Sequence, residues 1–216
     1  MHALLQHLAE RGFDGAPRAL GIDAQGREML TFVPGSVLHP HGLDDAGLER
    51  VARLIRAYHT AVASFRPPAD AHWQPDGRDP RGPAELICHN DLAPWNLVLG
   101  EPAWVFIDWD LAAPGRRLWD LALAACSFVP LWPDQPGGPR LERYQRFRAA
   151  YGLADADSRR LLEVVVERTQ RMADVLLDNA DREPYASLIR DGHAATWQRV
   201  AHSVEQQATR WRARLG

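Results

Sequence analysis

Ile87-Cys88-His89-Asn90-Asp91-Leu92-Ala93-Pro94-Trp95-Asn96, followed by Val105-Phe106-Ile107-Asp108-Trp109-Asp110, sets three side chains at spacings that phosphoryl transfer can use. An Asp on a tight loop between two apolar runs can accept the proton of a substrate hydroxyl. An Asn five residues later can hold a divalent ion, and a second Asp opening the turn after the next strand completes a metal site. His-x-Asp or Asp-x-Asp alone is common at solvated turns and carries little weight. Their joint occurrence in this order, between strand-like runs at Leu86 to Cys88, Leu97 to Leu99 and Trp104 to Ile107, is far more specific.

The pattern His-x-Asp-x-x-x-x-Asn, a short hairpin, then Ile-Asp-aromatic-acid resembles the aminoglycoside phosphotransferase family and its choline- and homoserine-kinase-like relatives, and every position is matched. The resemblance implies an α+β, protein-kinase-like fold with a truncated N-terminal lobe and a mostly helical C-terminal lobe. It implies Asp91 as catalytic base, Asn96 and Asp108 as ligands of Mg²⁺ and hence of the nucleotide, and His89 as a brace of the loop. Asp110 is then an accessory acid. Asp120, in Leu118-Trp119-Asp120-Leu121-Ala122, opens the next helix and buttresses the loop. The implied cofactors are Mg²⁺ and ATP, with GTP as the alternative nucleotide, and the partner is a small molecule offering a hydroxyl. Trp95 and Trp109 are assigned to core packing.

The small lobe is where the sequence departs from the family. All 25 basic residues other than His are Arg, so a phosphate-pairing Lys is excluded by composition. Gly12, Gly15, Gly21 and Gly26 form no glycine-rich phosphate loop. Gly12 suits a left-handed helix stop and Gly26 a hairpin turn. The first helix buries Leu4, Leu5, Leu8 and Ala9, and Glu10, in its last turn, is a surface acid. Two strands follow, Arg18 to Ile22 and Glu28 to Phe32. Then Val33-Pro34-Gly35 is, by resemblance, the hinge, with Phe32 and Val33 offering backbone groups to an adenine edge; an ordinary strand-ending turn reads equally well. The expected division is residues 1–35 as the remnant lobe and 36–216 as the helical lobe.

A two-stranded remnant leaves an edge and an apolar face to be covered. Residues upstream of Met1, a trimmed chain, or a native short form that forms a homodimer or binds without turnover would each account for it. A late start is favoured, because Met1 interrupts a helix with no N-cap residue.

Asp44 caps a long amphipathic helix running to about Phe65, with Leu48, Val51, Leu54, Ile55, Tyr58 and Val62 on one stripe and His59 as a packed, hydrogen-bonded histidine. Arg66 to Pro83 reads as a loop. Helices are expected at about Trp119 to Phe128, Arg140 to Tyr151, Asp157 to Asn179, Glu183 to Asp191 and His193 to Arg212, with Pro130, Pro133, Pro136 and Pro139 separating the first two. His39, His41 and His72 lack zinc-site spacing and read as solvated. Asp174, Asp178, Asp181 and Glu183 could draw a cationic acceptor, and Arg116 and Arg117 could meet phosphate, although solvated faces explain both sets more simply.

A net charge of −3 with scattered arginines argues against a nucleic-acid partner. The longest apolar run, near Leu121 to Trp132, is too short to span a bilayer, so no membrane role is expected. Cys88 and Cys126 read as core thiols suited to a reducing cytoplasm, and arginine in place of lysine suggests a GC-rich bacterial source. Two rivals stand beside a phosphotransferase: a pseudokinase or nucleotide-binding module, and a metal-dependent hydrolase built on His89, Asp91, Asp108 and Asp110.

Overall fold

The computed structural model describes residues 1–38, 42–75, 79–133 and 140–212. The chain opens with α1 (His2–Glu10), whose Leu4, Leu5 and Leu8 are buried, and stops it at Gly12 in a left-handed conformation with φ of 72°. A hairpin of β1 (Ala19–Ile22) and β2 (Glu28–Leu30) follows. The Asp23 side chain closes its turn by accepting from the backbone of Gln25 and Arg27. The second strand ends at Leu30 rather than Phe32. Pairing there passes to Thr31, whose N–H and hydroxyl both meet Arg18, and the chain then turns toward Pro34.

Asp44 accepts from Gly47 N and starts α2 (Asp45–Val62), which buries Leu48, Val51, Ala52, Ile55, Tyr58, His59 and Val62, a stripe at helical spacing. Leu54 stays at the edge of that stripe, half-buried.

Two short antiparallel ladders frame the middle of the chain. One joins β4 (Leu86–Cys88) to β7 (Ala113–Gly115). The other runs β3 (Ser36–Val37), β5 (Leu97–Leu99), β6 (Trp104–Phe106), in that order. A 3-10 turn at Pro94–Asn96 leads into β5. Neither β3 nor β7 is evident in the sequence, since each is a few residues long and is held by its partner's backbone. At Gly35, which precedes β3, a Cβ would sit 2.4 Å from the Leu99 carbonyl oxygen, so glycine alone lets the strand approach β5.

The remaining elements are helical: α3 (Arg117–Phe128), α4 (Arg140–Tyr151), α5 (Asp155–Asp178), α6 (Tyr185–Arg190) and α7 (His193–Arg212). Every residue of α3 from Leu118 onward is buried, as suits a central helix covered on all sides. It packs on α5, α5 packs on α7, and α4 lies against α2. Leu4, Leu5, Leu8 and Phe13 belong to the same buried cluster as α2 and α3. Pro136 and Pro139 lie outside the described residues. Among the described residues no helix is long and apolar enough to cross a membrane.

Candidate active site

Both ladders end at one place. The chain leaves β4 through His89, Asn90 and Asp91, re-enters at β5 after the 3-10 turn, and leaves β6 through Ile107 and Asp108 before β7. Ile107 N donates to Asn96 O at 2.9 Å, extending the β5–β6 hairpin by one step and setting Asn96 beside the start of the Asp108 turn. Asn90 and Asp108 both adopt left-handed backbone conformations, with φ of 67° and 59°. Such conformations cost about 1 kcal/mol or more in L-residues and cluster where a loop must aim a side chain.

The loop is tied from beneath by Asp120, fully buried in the first turn of α3. Its Oδ2 accepts His89 N at 2.9 Å and its Oδ1 accepts Asn90 N at 2.8 Å. His59 Nε2 approaches Oδ2 at 3.1 Å, and His59 Nδ1 lies 2.8 Å from the Tyr151 hydroxyl. Nε2 thus faces the carboxylate while Nδ1 hydrogen-bonds the Tyr151 hydroxyl. Burial alone would raise the Asp120 carboxyl, but the His59 hydrogen bond, the two imidazoles and the His89 N–H outweigh it and hold the group below its ordinary value.

His89 is fully buried, its ring 4.4 Å from that of Trp109, and its Nδ1 accepts Asp91 N at 3.2 Å. Burial lowers its basicity despite the nearby Asp120, Asp91 and Asp108. The δ nitrogen of this ring is thus committed inside the loop.

Asp91 is partly buried. Its Oδ2 accepts from Asn96 Nδ2 at 2.7 Å and from Trp95 Nε1 at 3.2 Å. Burial pushes the carboxyl up, and the Trp95 and Asn96 donors, with the nearby Arg168 charge, oppose it. Asn96 Nδ2 also donates to Asp91 O at 3.1 Å, so both amide protons are committed and the amide oxygen is what remains for a cation. Asp108 and Asp110 are exposed. A hard divalent ion such as Mg²⁺ takes oxygen donors and commonly uses one or two protein groups plus phosphate oxygens, which the Asn96 amide and the Asp108 carboxylate fit. Among the described residues no group of three or more His, Cys, Asp or Glu could hold a metal by itself.

Trp95 is not in the core: it is 38% exposed, and the 3-10 turn aims its indole N–H at Asp91. Trp109 is buried and donates to Phe106 O. Arg116 does not face phosphate, because Asp79 takes its guanidinium through two nitrogens beneath the surface. Arg117 N meets Glu85. Phe32 is 88% exposed and Val33 half-buried. Asp178 pairs with Arg171 and Glu183 with Arg190, and both pairs, like Asp174 and Asp181, are on the surface. His72 is exposed, and His39 and His41 lie outside the described residues.

One residue escaped the sequence altogether. Arg168 of α5 is 2% exposed, and its Nη2 donates to Asn90 O at 2.7 Å. Its signal was present: it falls among Leu161, Val164, Val165, Ala173 and Leu176, the buried stripe of its helix. A charge on such a stripe marks a buried polar contact.

Comparison with known proteins agrees with this geometry. Residues 70–164 match the model of the phosphotransferase enzyme family. The trifolitoxin immunity protein of Rhizobium leguminosarum bv. trifolii is 36% identical over 137 residues, 61% of this chain and 52% of that protein. The chain therefore spans about half the length of this curated relative. Among solved structures, the microcompartment-associated aminopropanol kinase superposes with a TM-score of 0.64 at 16% identity, covering 99% of this chain and 82% of the other. A choline/ethanolamine kinase family protein from Mesorhizobium loti gives 0.57 at 16% identity, covering 94% and 81%. The ethanolamine kinase of Plasmodium vivax gives 0.53 at 12% identity, covering 96% and 71%. These likenesses establish the kinase-like fold with a reduced sheet lobe.

Proposed function

We propose that this chain, of which residues 70–164 match the phosphotransferase enzyme family and whose fold is kinase-like, transfers the γ-phosphate of a nucleotide, ATP or GTP, to a hydroxyl of a small molecule. The observation that carries this reading is the Asp91 carboxylate, fixed by Asn96 and Trp95 at the meeting point of the two ladders, with Asn96 and the Asp108 turn adjacent.

Both donors occupy Oδ2, which leaves Oδ1 as the atom to take the acceptor hydroxyl's proton. The Asn96 amide oxygen and the Asp108 carboxylate would hold Mg²⁺, which supplies neutralisation of nucleotide phosphate charge. Asp110 stands two positions on as an accessory acid. Asp120 and His89 keep the loop rigid, so that the base is already oriented when the acceptor arrives. Phe32 and Val33 offer the hinge backbone to the adenine edge. Buried free thiols at Cys88 and Cys126 suit a cytoplasmic, nucleotide-rich setting.

The test is calorimetry of Mg·ATP and Mg·GTP binding, followed by turnover against a panel of amino alcohols, aminoglycosides and trifolitoxin. Asp108→Asn should abolish the metal-dependent part of binding. Asp91→Asn should keep nucleotide affinity and lose turnover. The alternative is a nucleotide-binding module without turnover, favoured by the absent phosphate-pairing Lys. It predicts binding that survives in Asp91→Asn with no phosphorylated product from either protein. Absence of any Mg-dependent nucleotide binding would sink both.

A further inference from the structure

Arg168 is a desolvated cation with an unusual set of partners. Among the described residues no carboxylate lies within ion-pair distance of it, and its Nη1 has no hydrogen-bond partner. Its guanidinium lies 4.8 Å over the Trp119 ring. The hydrogen bond from Nη2 goes to the Asn90 carbonyl, 78 positions away in sequence. Burying a charge in this way costs several kcal/mol, and a well-packed apolar side chain is often as stable or more so. Stability alone is a poor account of an arginine here.

The peptide it grips has another constraint at its other end. The Asn90 carbonyl and the Asp91 N–H belong to one peptide plane. The carbonyl accepts from Arg168 at 2.7 Å, and the N–H donates to His89 Nδ1 at 3.2 Å. Rotating that plane breaks both bonds and swings the Asp91 side chain with it. Asp120 fixes the N–H groups of His89 and Asn90, upstream of this plane, and does not restrain the carbonyl.

We infer that Arg168 is a positioning residue for Asp91, acting through the Asn90–Asp91 peptide. It couples α5, the helix on which α3 and α7 pack, to the placement of the base. Its neighbour Glu167 pairs with Arg81 and approaches Arg116, so this turn of α5 anchors the surrounding loops as well.

Trp95 provides a readout of base placement that needs no activity, because its indole N–H donates to Asp91. Among the eight tryptophans, its Nε1–H resonance is identified by its loss in Trp95→Phe. In Arg168→Met, which keeps the stem and removes the donor, that resonance should move toward its position in Asp91→Ala. Arg168→Lys, which keeps a cation and a shorter donor, should fall between. A folded Arg168→Met protein with the resonance unmoved overturns the inference. Should the Met variant fail to fold, the Lys variant decides by the same criterion.

The kinetic arm rests on the phosphoryl-transfer reading. Slow Mg·ATP hydrolysis should fall about 100-fold in Arg168→Met, the scale of a 1 Å misplacement, with the KM for ATP changed less than about threefold. A matched rise in KM would point to general loosening and count against positioning. Wild-type protein that hydrolyses no ATP would damage the functional reading, while the resonance would still decide whether Arg168 places Asp91.

Discussion

Replacing Asp120 by Asn tests the support of the loop directly, because it changes one oxygen to an amino group and almost nothing in volume. The carboxylate accepts three hydrogen bonds, from His89 N, Asn90 N and His59 Nε2, in a site closed to water. An Asn side chain has one oxygen. Turned so that this oxygen keeps His89 N and His59, it presents its own N–H to Asn90 N. Two donors then face each other, and one buried N–H is stranded at a cost of about 1–3 kcal/mol. The two surviving bonds fall from a charged to a neutral acceptor, each losing about 1 kcal/mol. The expected destabilisation is therefore about 3–5 kcal/mol.

For a domain of this size each kcal/mol lowers the melting temperature by about 2–4 °C, so the variant should melt about 6–20 °C lower. Urea unfolding of wild type and Asp120→Asn measures the difference, and the double variant with His59→Ala apportions the imidazole's share. The two changes should combine to less than their sum, because they share a bond. A loss below about 1 kcal/mol, or strict additivity with His59→Ala, would refute the argument that this carboxylate holds the loop.

The Asp120 carboxyl titrates lower in the folded chain than in the unfolded one, so its contribution is present above about pH 4 and lost as pH falls through the folded value; unfolding free energies at pH 5 to 2.5 should decline less steeply in Asp120→Asn than in wild type. Asp79→Ala leaves the largely buried Arg116 guanidinium without its carboxylate and should cost about 3 kcal/mol in chemical denaturation, while Mg·nucleotide affinity stays as it was. Burial pushes the Cys126 thiol up to about 12 and raises that of Cys88 as well, so a thiol-titrating reagent at pH 8 should modify neither cysteine until denaturant is added.

How much of this was legible in the sequence depends on the range over which each feature is set. Asp91, Asn96 and Asp108 were recognisable because their spacing is fixed by one loop and one hairpin, and the apolar strands on either side announce both. The helices were legible for the same local reason: their buried stripes follow a helical period, and the boundaries missed by a residue or two at α3 and α5 are where capping and fraying compete. Strands β3 and β7 were not legible, because no intrinsic preference makes Ser36-Val37 or Ala113-Pro114-Gly115 extended; pairing with β5 and β4 does. At Gly115 a Cβ would lie 2.9 Å from Cys88 Sγ, so that residue is chosen by a neighbour 27 positions away.

The supports of the site obey the same rule more severely. Trp95 lies within the motif, yet whether its indole enters the core or reaches Asp91 depends on the 3-10 turn, and hydrophobicity alone favours the core. Asp79 and Arg116 are 37 positions apart, and Arg168 and Asn90 are 78 apart. Asp79 and Arg116 each look like an ordinary surface charge when considered with their sequence neighbours. The one clue that a sequence can carry is a charge standing on an apolar stripe, as Arg168 does on α5, and it reveals burial without revealing the partner. The groups proposed to touch reactants are thus encoded locally, while the contacts that hold them in place run between distant segments. A variant such as Arg168→Met separates these two levels, since it leaves every motif residue in place and removes only the long-range constraint on where the base points.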